Sequence, residues 1–91
     1  MKQEKVKAAA LKFNLTNTDH AYVMIGTRHA ELFERLIGVP DVIKTSIVEG
    51  FVTDTDRFVD RIEAKRIAVA ANQLIVPIED TYDALYSEDV W

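Results

Sequence analysis

The chain has no cysteine, and only three glycines, two prolines, one tryptophan and two histidines. Without cysteine there are no disulfides and no thiolate metal sites. With His20 and His29 as the sole imidazoles, a dedicated zinc centre is not expected. The apolar runs are short and interrupted, so none reaches the roughly 20 residues that a membrane-spanning helix needs. The opening Met-Lys-Gln-Glu-Lys-Val-Lys lacks the apolar stretch of a secretory signal. Basic residues are not in excess either, with 11 Lys and Arg against 15 Asp and Glu. That balance disfavours duplex nucleic acid as a partner, because its phosphates call for clustered Lys and Arg. There are no internal repeats and no low-complexity tract. A soluble, cytoplasmic protein without cofactor or metal is the expectation.

What remains is enough for one small fold. Ninety-one residues, 48% of them hydrophobic and 29% charged, can bury a single modest core. The charge is unevenly placed. From Glu79 to Asp89 there are five acids (Glu79, Asp80, Asp83, Glu88, Asp89) and no Lys or Arg, which leaves ten acids against eleven bases elsewhere. The reading is therefore a nearly neutral domain over residues 1–77 and an acidic, aromatic-bearing C-terminal arm over residues 78–91.

The densest local code lies at Gly50–Ala64. Phe51-Val52 leads into Thr53-Asp-Thr-Asp56, which is turn chemistry, and Phe58-Val59 resumes an extended run. Asp60 stands three residues before Glu63, the spacing of a capping box that opens a helix. Upstream, Ala21–Ile25 reads as a buried strand, and Lys5–Phe13 as its hairpin partner across the polar Asn14–Asp19, with an N-terminal helix as the alternative. From about Arg28 the period becomes helical: Leu32, Phe33, Leu36 and Ile37 share a face, and Glu31 can pair with Arg35. Gly38 and Pro40 end that helix. Val42–Val48 reads as the start of a strand continuing through Phe51-Val52. In the second helix Ala64, Ile67, Ala68 and Ala71 make a narrow face suited to close approach to a sheet, and Asn72 is the exit. The order is ββαββα: an α+β domain with two helices on one side of a small antiparallel sheet.

The segments Gly26-Thr-Arg-His29, Glu49-Gly-Phe-Val-Thr53, Arg57-Phe-Val-Asp-Arg61, Glu63-Ala64 and Leu85-Tyr-Ser-Glu-Asp-Val-Trp91 together resemble a small phage-encoded family of uncharacterised proteins. The resemblance runs from about Lys7 onward. Its relatives often carry a glycine in the turn before Arg57, where this chain has Asp56, which leaves the turn type open. The resemblance implies a bacteriophage or prophage origin, hence the host cell cytoplasm, and supplies no catalytic residues. It also implies a setting in which very small proteins bind and neutralise host components.

Three sites follow from residue chemistry. Gly26, Thr27, Arg28 and His29 stand where a strand hands over to a helix. There, unpaired amides, a hydroxyl and a guanidinium suit an anion, and His29 adds a pH-sensitive donor. The structural alternative is a turn at Gly26, a cap by Thr27, and His29 packed beside Phe33. Arg57 and Arg61 are the second basic group, with pairing of Arg61 to Asp54, Asp56 or Glu49 as its alternative. Tyr82, Tyr86 and Trp91 are interface anchors or, equally, core packing. No carboxylates form a catalytic pair, Asp54, Asp56 and Asp60 lack the EF-hand pattern, and Ser46 and Ser87 have no base in a recognisable order. A minimal hydrolase built on His29 and Glu49 is the weakest reading.

The leading expectation is capture of an anionic small molecule, a nucleotide or nucleotide-derived signal, to counter host defence, by a protein that forms a homo-oligomer. It rests on Gly26, Thr27, Arg28 and His29 together with Arg57 and Arg61. The alternative is a protein–protein inhibitor of a host defence or replication enzyme, acting through the acidic arm.

Overall fold

A computed structural model describes residues 3–91. The strands are β1 (Val6–Asn14), β2 (Ala21–Gly26), β3 (Val48–Thr53) and β4 (Phe58–Asp60), and the helices are α1 (His29–Ile37) and α2 (Arg61–Ala70). The N-terminal segment is strand, as the hairpin reading requires: Ala9 to Asn14 pair with Gly26 to Ala21. Its three alanines pack inside a sheet, where tertiary burial outweighs their helix propensity.

The four strands form one antiparallel sheet in the order β2-β1-β3-β4. The path from β2 through α1 to β3 thus crosses over β1. Strand alternation gives the sheet two faces. On one lie Ala9, Leu11, Phe13, Phe51 and Val59, packed against Leu32 and Leu36 of α1 and Ala64, Ile67 and Ala68 of α2. The other carries Val23, Ile25, Lys12 and Val48, and among the described residues no helix lies over it. The shortest dimension of the molecule, 18 Å, is that of one sheet and one helix layer.

At Gly50 a Cβ would run into the Val59 carbonyl oxygen and lie 2.6 Å from Cζ of Phe58, so the β3–β4 hairpin closes tightly only over a glycine.

Four local expectations change. Ala21–Ile25 is a strand but not a buried one: β2 lies at the edge of the sheet, and Val23 and Ile25 are 42% and 50% exposed. Val42–Val48 is not one strand. Lys44–Ser46 forms a 3-10 turn, and β3 begins at Val48. Ser46 explains it: its hydroxyl donates to the Ile43 carbonyl and accepts from the amide of Asn14 at 2.8 Å, a local alternative to ladder bonding. The buried face of α1 is His29, Leu32 and Leu36, whereas Phe33 lies at the surface and Ile37 is 86% exposed. A helix of nine residues resting on one side of a sheet buries a stripe narrower than its apolar positions allow. The capping box at Asp60 is half formed. Asp60 Oδ1 accepts from the amide of Glu63 at 2.8 Å, while the Glu63 carboxylate turns to Arg66 at 2.9 Å. The expected Glu31–Arg35 pair is present at 3.0 Å. Asn72 leaves α2 with φ 57°, a left-handed exit that asparagine tolerates.

Candidate functional site

The β2–α1 junction is built around a close approach, with Leu32 and Arg35 of the helix lying over Gly26. Arg28 is the extended N-cap residue, and among the described residues no side chain makes a capping hydrogen bond to the helix, so Thr27 does not cap it. His29 is 6% exposed, and its Nε2 lies 2.7 Å from the carbonyl oxygen of Gly50. A carbonyl only accepts, so Nε2 carries the proton and the ring is oriented by β3. The ring stands edge-on to Phe51, at 5.0 Å between centroids, rather than beside Phe33.

The C-terminal arm closes over this junction. Arg28 Nη1 donates to the carbonyl of Ser87 at 3.0 Å, and Trp91 Nε1 donates to the carbonyl of Thr27 at 2.6 Å. The indole also meets Phe51 edge-on at 6.2 Å. Leu85, Ser87 and Val90 are buried, and the amide of Leu85 donates to the carbonyl of Arg61 at 2.9 Å. Arg61 pairs with Glu49, and its guanidinium lies 4.5 Å from the ring centroid of Tyr86.

Arg28, His29, Glu49 and Arg61 are thus gathered beneath the arm, each already engaged within the chain. His29 and Glu49 point to separate partners, Gly50 and Arg61, rather than to each other. Arg57 belongs to a different cluster, where the Glu4 carboxylate collects the hydroxyls of Thr53 and Thr55, both at 2.6 Å, and Arg57 Nη2 at 2.7 Å and Nε at 3.2 Å. These bonds, Arg57 foremost, lower the Glu4 pKa to about 2, and the same pairing raises that of Arg57. Among the described residues no group of His, Asp and Glu side chains has the arrangement of a metal site, and no helix is long and apolar enough to cross a membrane.

Of the arm's aromatics, Trp91 is turned inward, Tyr86 lies over Arg61, and Tyr82 is 74% exposed, edge-on to Tyr86 at 5.8 Å. Glu79, Asp80, Asp83 and Glu88 are exposed as well. Beside Tyr82 runs an open groove of about 520 Å³, lined in part by Lys65, Val69, Ile78 and Thr81. Lys65 fastens the arm at its edge, donating to the Thr81 hydroxyl and the Tyr82 carbonyl.

Sequence reasoning missed Glu4, Ser87 and the carbonyl of Gly50. Two of these act through backbone oxygens and carry no side-chain signal. Glu4 could have been sought from the Thr-x-Thr-x-Arg donors at 53–57, whose common acceptor lies far away in the chain.

No curated protein and no solved structure matches the chain. A family model does, that of the phage T4 y16D protein, over residues 5–91, and the chain belongs to this small phage-encoded family.

Proposed function

We propose that this phage protein acts as a binding protein that docks on a host protein, as an inhibitor, through the outer surface of its C-terminal arm. One observation carries the reading. Leu85, Ser87 and Val90 fix the arm to the core, while Glu79, Asp80, Tyr82, Asp83 and Glu88 remain exposed on it. A fixed arm presents its acids and Tyr82 without the ordering cost that a free tail would meet on binding. Tyr82, with the exposed Ile78 beside it, supplies an aromatic and aliphatic centre, and the acids supply a negative rim. The complementary partner surface is basic around an apolar patch.

Capture of an anionic small molecule fits this geometry less well. Arg28, Arg57 and Arg61 are each paired inside the chain, so a nucleotide would have to displace the Ser87 carbonyl, Glu4 or Glu49.

The test compares affinity purification from host lysate by the wild type and by Asp80→Lys/Tyr82→Ala/Asp83→Lys. The expected result is one host polypeptide, retained by the wild type, released by raised salt, and lost in a variant whose thermal melt is unchanged. Equal retention by both proteins overturns the proposal. Calorimetric heat with mono-, di- or cyclic nucleotides that vanishes in Arg28→Ala would return the reading to anion capture.

A further inference from the structure

The two edges of the sheet are treated differently by the sequence. The β4 edge has three residues, ends in Asp60, and follows a turn bearing Asp54, Asp56 and Arg57. Shortness and charge are the usual protection of an edge. The β2 edge, Ala21-Tyr-Val-Met-Ile-Gly26, is twice as long and contains no charge and no proline. It pairs with β1 alone, and among the described residues no other backbone or side-chain group bonds to the backbone of Ala21–Gly26. Its outward amides and carbonyls are therefore a free template, and it carries Val23 and Ile25, 42% and 50% exposed, on the face that no helix covers.

We infer that β2 is a self-association edge, pairing antiparallel with β2 of a second copy about a two-fold axis to give one continuous eight-stranded sheet. A second copy fits this edge because an uncharged strand is complementary to itself about a two-fold axis. A two-fold passing through Val23 or through Met24 keeps like faces together, because residues directly opposite in an antiparallel pair share a face. Tyr22 and Met24 of both copies then stay on the helix side, and Val23 and Ile25 of both copies meet on the open side. The strand is uncharged along its length, so self-pairing brings no like charges into opposition within it. On the helix side, Arg35 over Gly26 is already paired with Glu31, so the border of the seam carries both signs. This edge is distinct from the arm proposed to bind the host protein, and each reading stands without the other.

The test uses the full chain in sedimentation equilibrium, with two matched variants. Val23→Glu and Val48→Glu replace residues 42% and 44% exposed on the same open face, and both sit directly across from Lys12, on its two sides. Each glutamate thus gains a cross-strand cation, and both variants keep the fold. About a two-fold centred on this strand, glutamates at position 23 of the two copies lie opposite or one step diagonal, where like charges repel. The expected result is a monomer–dimer equilibrium in the wild type, weakened at least about tenfold by Val23→Glu and unchanged by Val48→Glu. Alternate β2 amides should exchange more slowly as the dimer fills. A chain that stays monomeric at every concentration overturns the inference. So does a dimer indifferent to Val23→Glu, or one weakened equally by both variants, which would indicate stacking of open faces.

Discussion

Both ends of the chain are tied to the sheet, and by different physics. Near the N-terminus, Glu4 gathers Thr53, Thr55 and Arg57 in a polar clasp that closes the β3–β4 turn against the start of β1, and Lys5 and Asp54 add a reciprocal pair of bonds at 3.0 and 2.9 Å. At the C-terminus, the arm contributes Leu85 and Val90 to the same core cluster as Phe51 and Leu32, and uses its polar bonds only for placement. The clasp depends on charge, so solution conditions govern it. The arm depends on buried apolar area, which salt and pH barely affect. The contrast bears on function, since an acidic segment anchored in this way is a rigid part of the surface.

The sharpest break in that comparison is Leu85→Ala. Leu85 is fully buried, and emptying such a site costs about 2–5 kcal/mol. Small domains have only about 5–15 kcal/mol in all, so urea denaturation should show a large fall in midpoint for the whole protein. Loss of near-UV signal from Trp91 alone, with the rest intact, would mean that the arm is separable from the body.

The clasp responds to pH instead. Because folding lowers the Glu4 pKa from 4.5 to about 2, the carboxylate stabilises the fold above its unfolded pKa, and that stabilisation fades as pH falls toward 2. Glu4→Gln should therefore lower the urea midpoint at neutral pH. The gap to the wild type should narrow between about pH 4.5 and pH 2, while Leu85→Ala keeps its deficit throughout. A gap independent of pH would show that the Glu4 carboxylate does not carry the clasp.

The sequence announced the elements far better than their meeting points. β1, β2, both helices and the 53–57 turn are written in local periodicity and turn chemistry, each readable within about ten residues. The Lys44–Ser46 turn escaped because Val42–Val48 is rich in β-branched residues, and one serine hydroxyl decides its course. Phe33 and Ile37 share a face with Leu32 and Leu36 and yet stay exposed, because helical periodicity gives a face but not how much of it the sheet covers. The site depended on longer links. His29 to Gly50 spans 21 residues, Glu4 to Arg57 spans 53, and Trp91 to Thr27 spans 64. No spacing rule reaches that far. Gly26–His29 therefore looked like an open anion site, where the fold lays the arm.

The smallest expected effect lies in the turn that the clasp closes. Asp56 has φ 62°, the left-handed conformation that a glycine adopts freely, so the turn keeps the backbone shape that a glycine at this position would give. An L residue there costs about 1–2 kcal/mol, less for aspartate. Glycine would relieve that strain, lose about 0.5–1 kcal/mol to the unfolded chain's entropy, and forgo an exposed contact with Lys7 at 3.4 Å that is worth little. Asp56→Gly should thus shift stability by no more than about 0.5 kcal/mol, whereas Asp56→Val, β-branched at the same φ, should lose about 1–2 kcal/mol. Thermal melts of the two variants side by side decide the matter. If both melt alike, the turn has relaxed out of the left-handed region, and the Glu4 clasp does not hold it there.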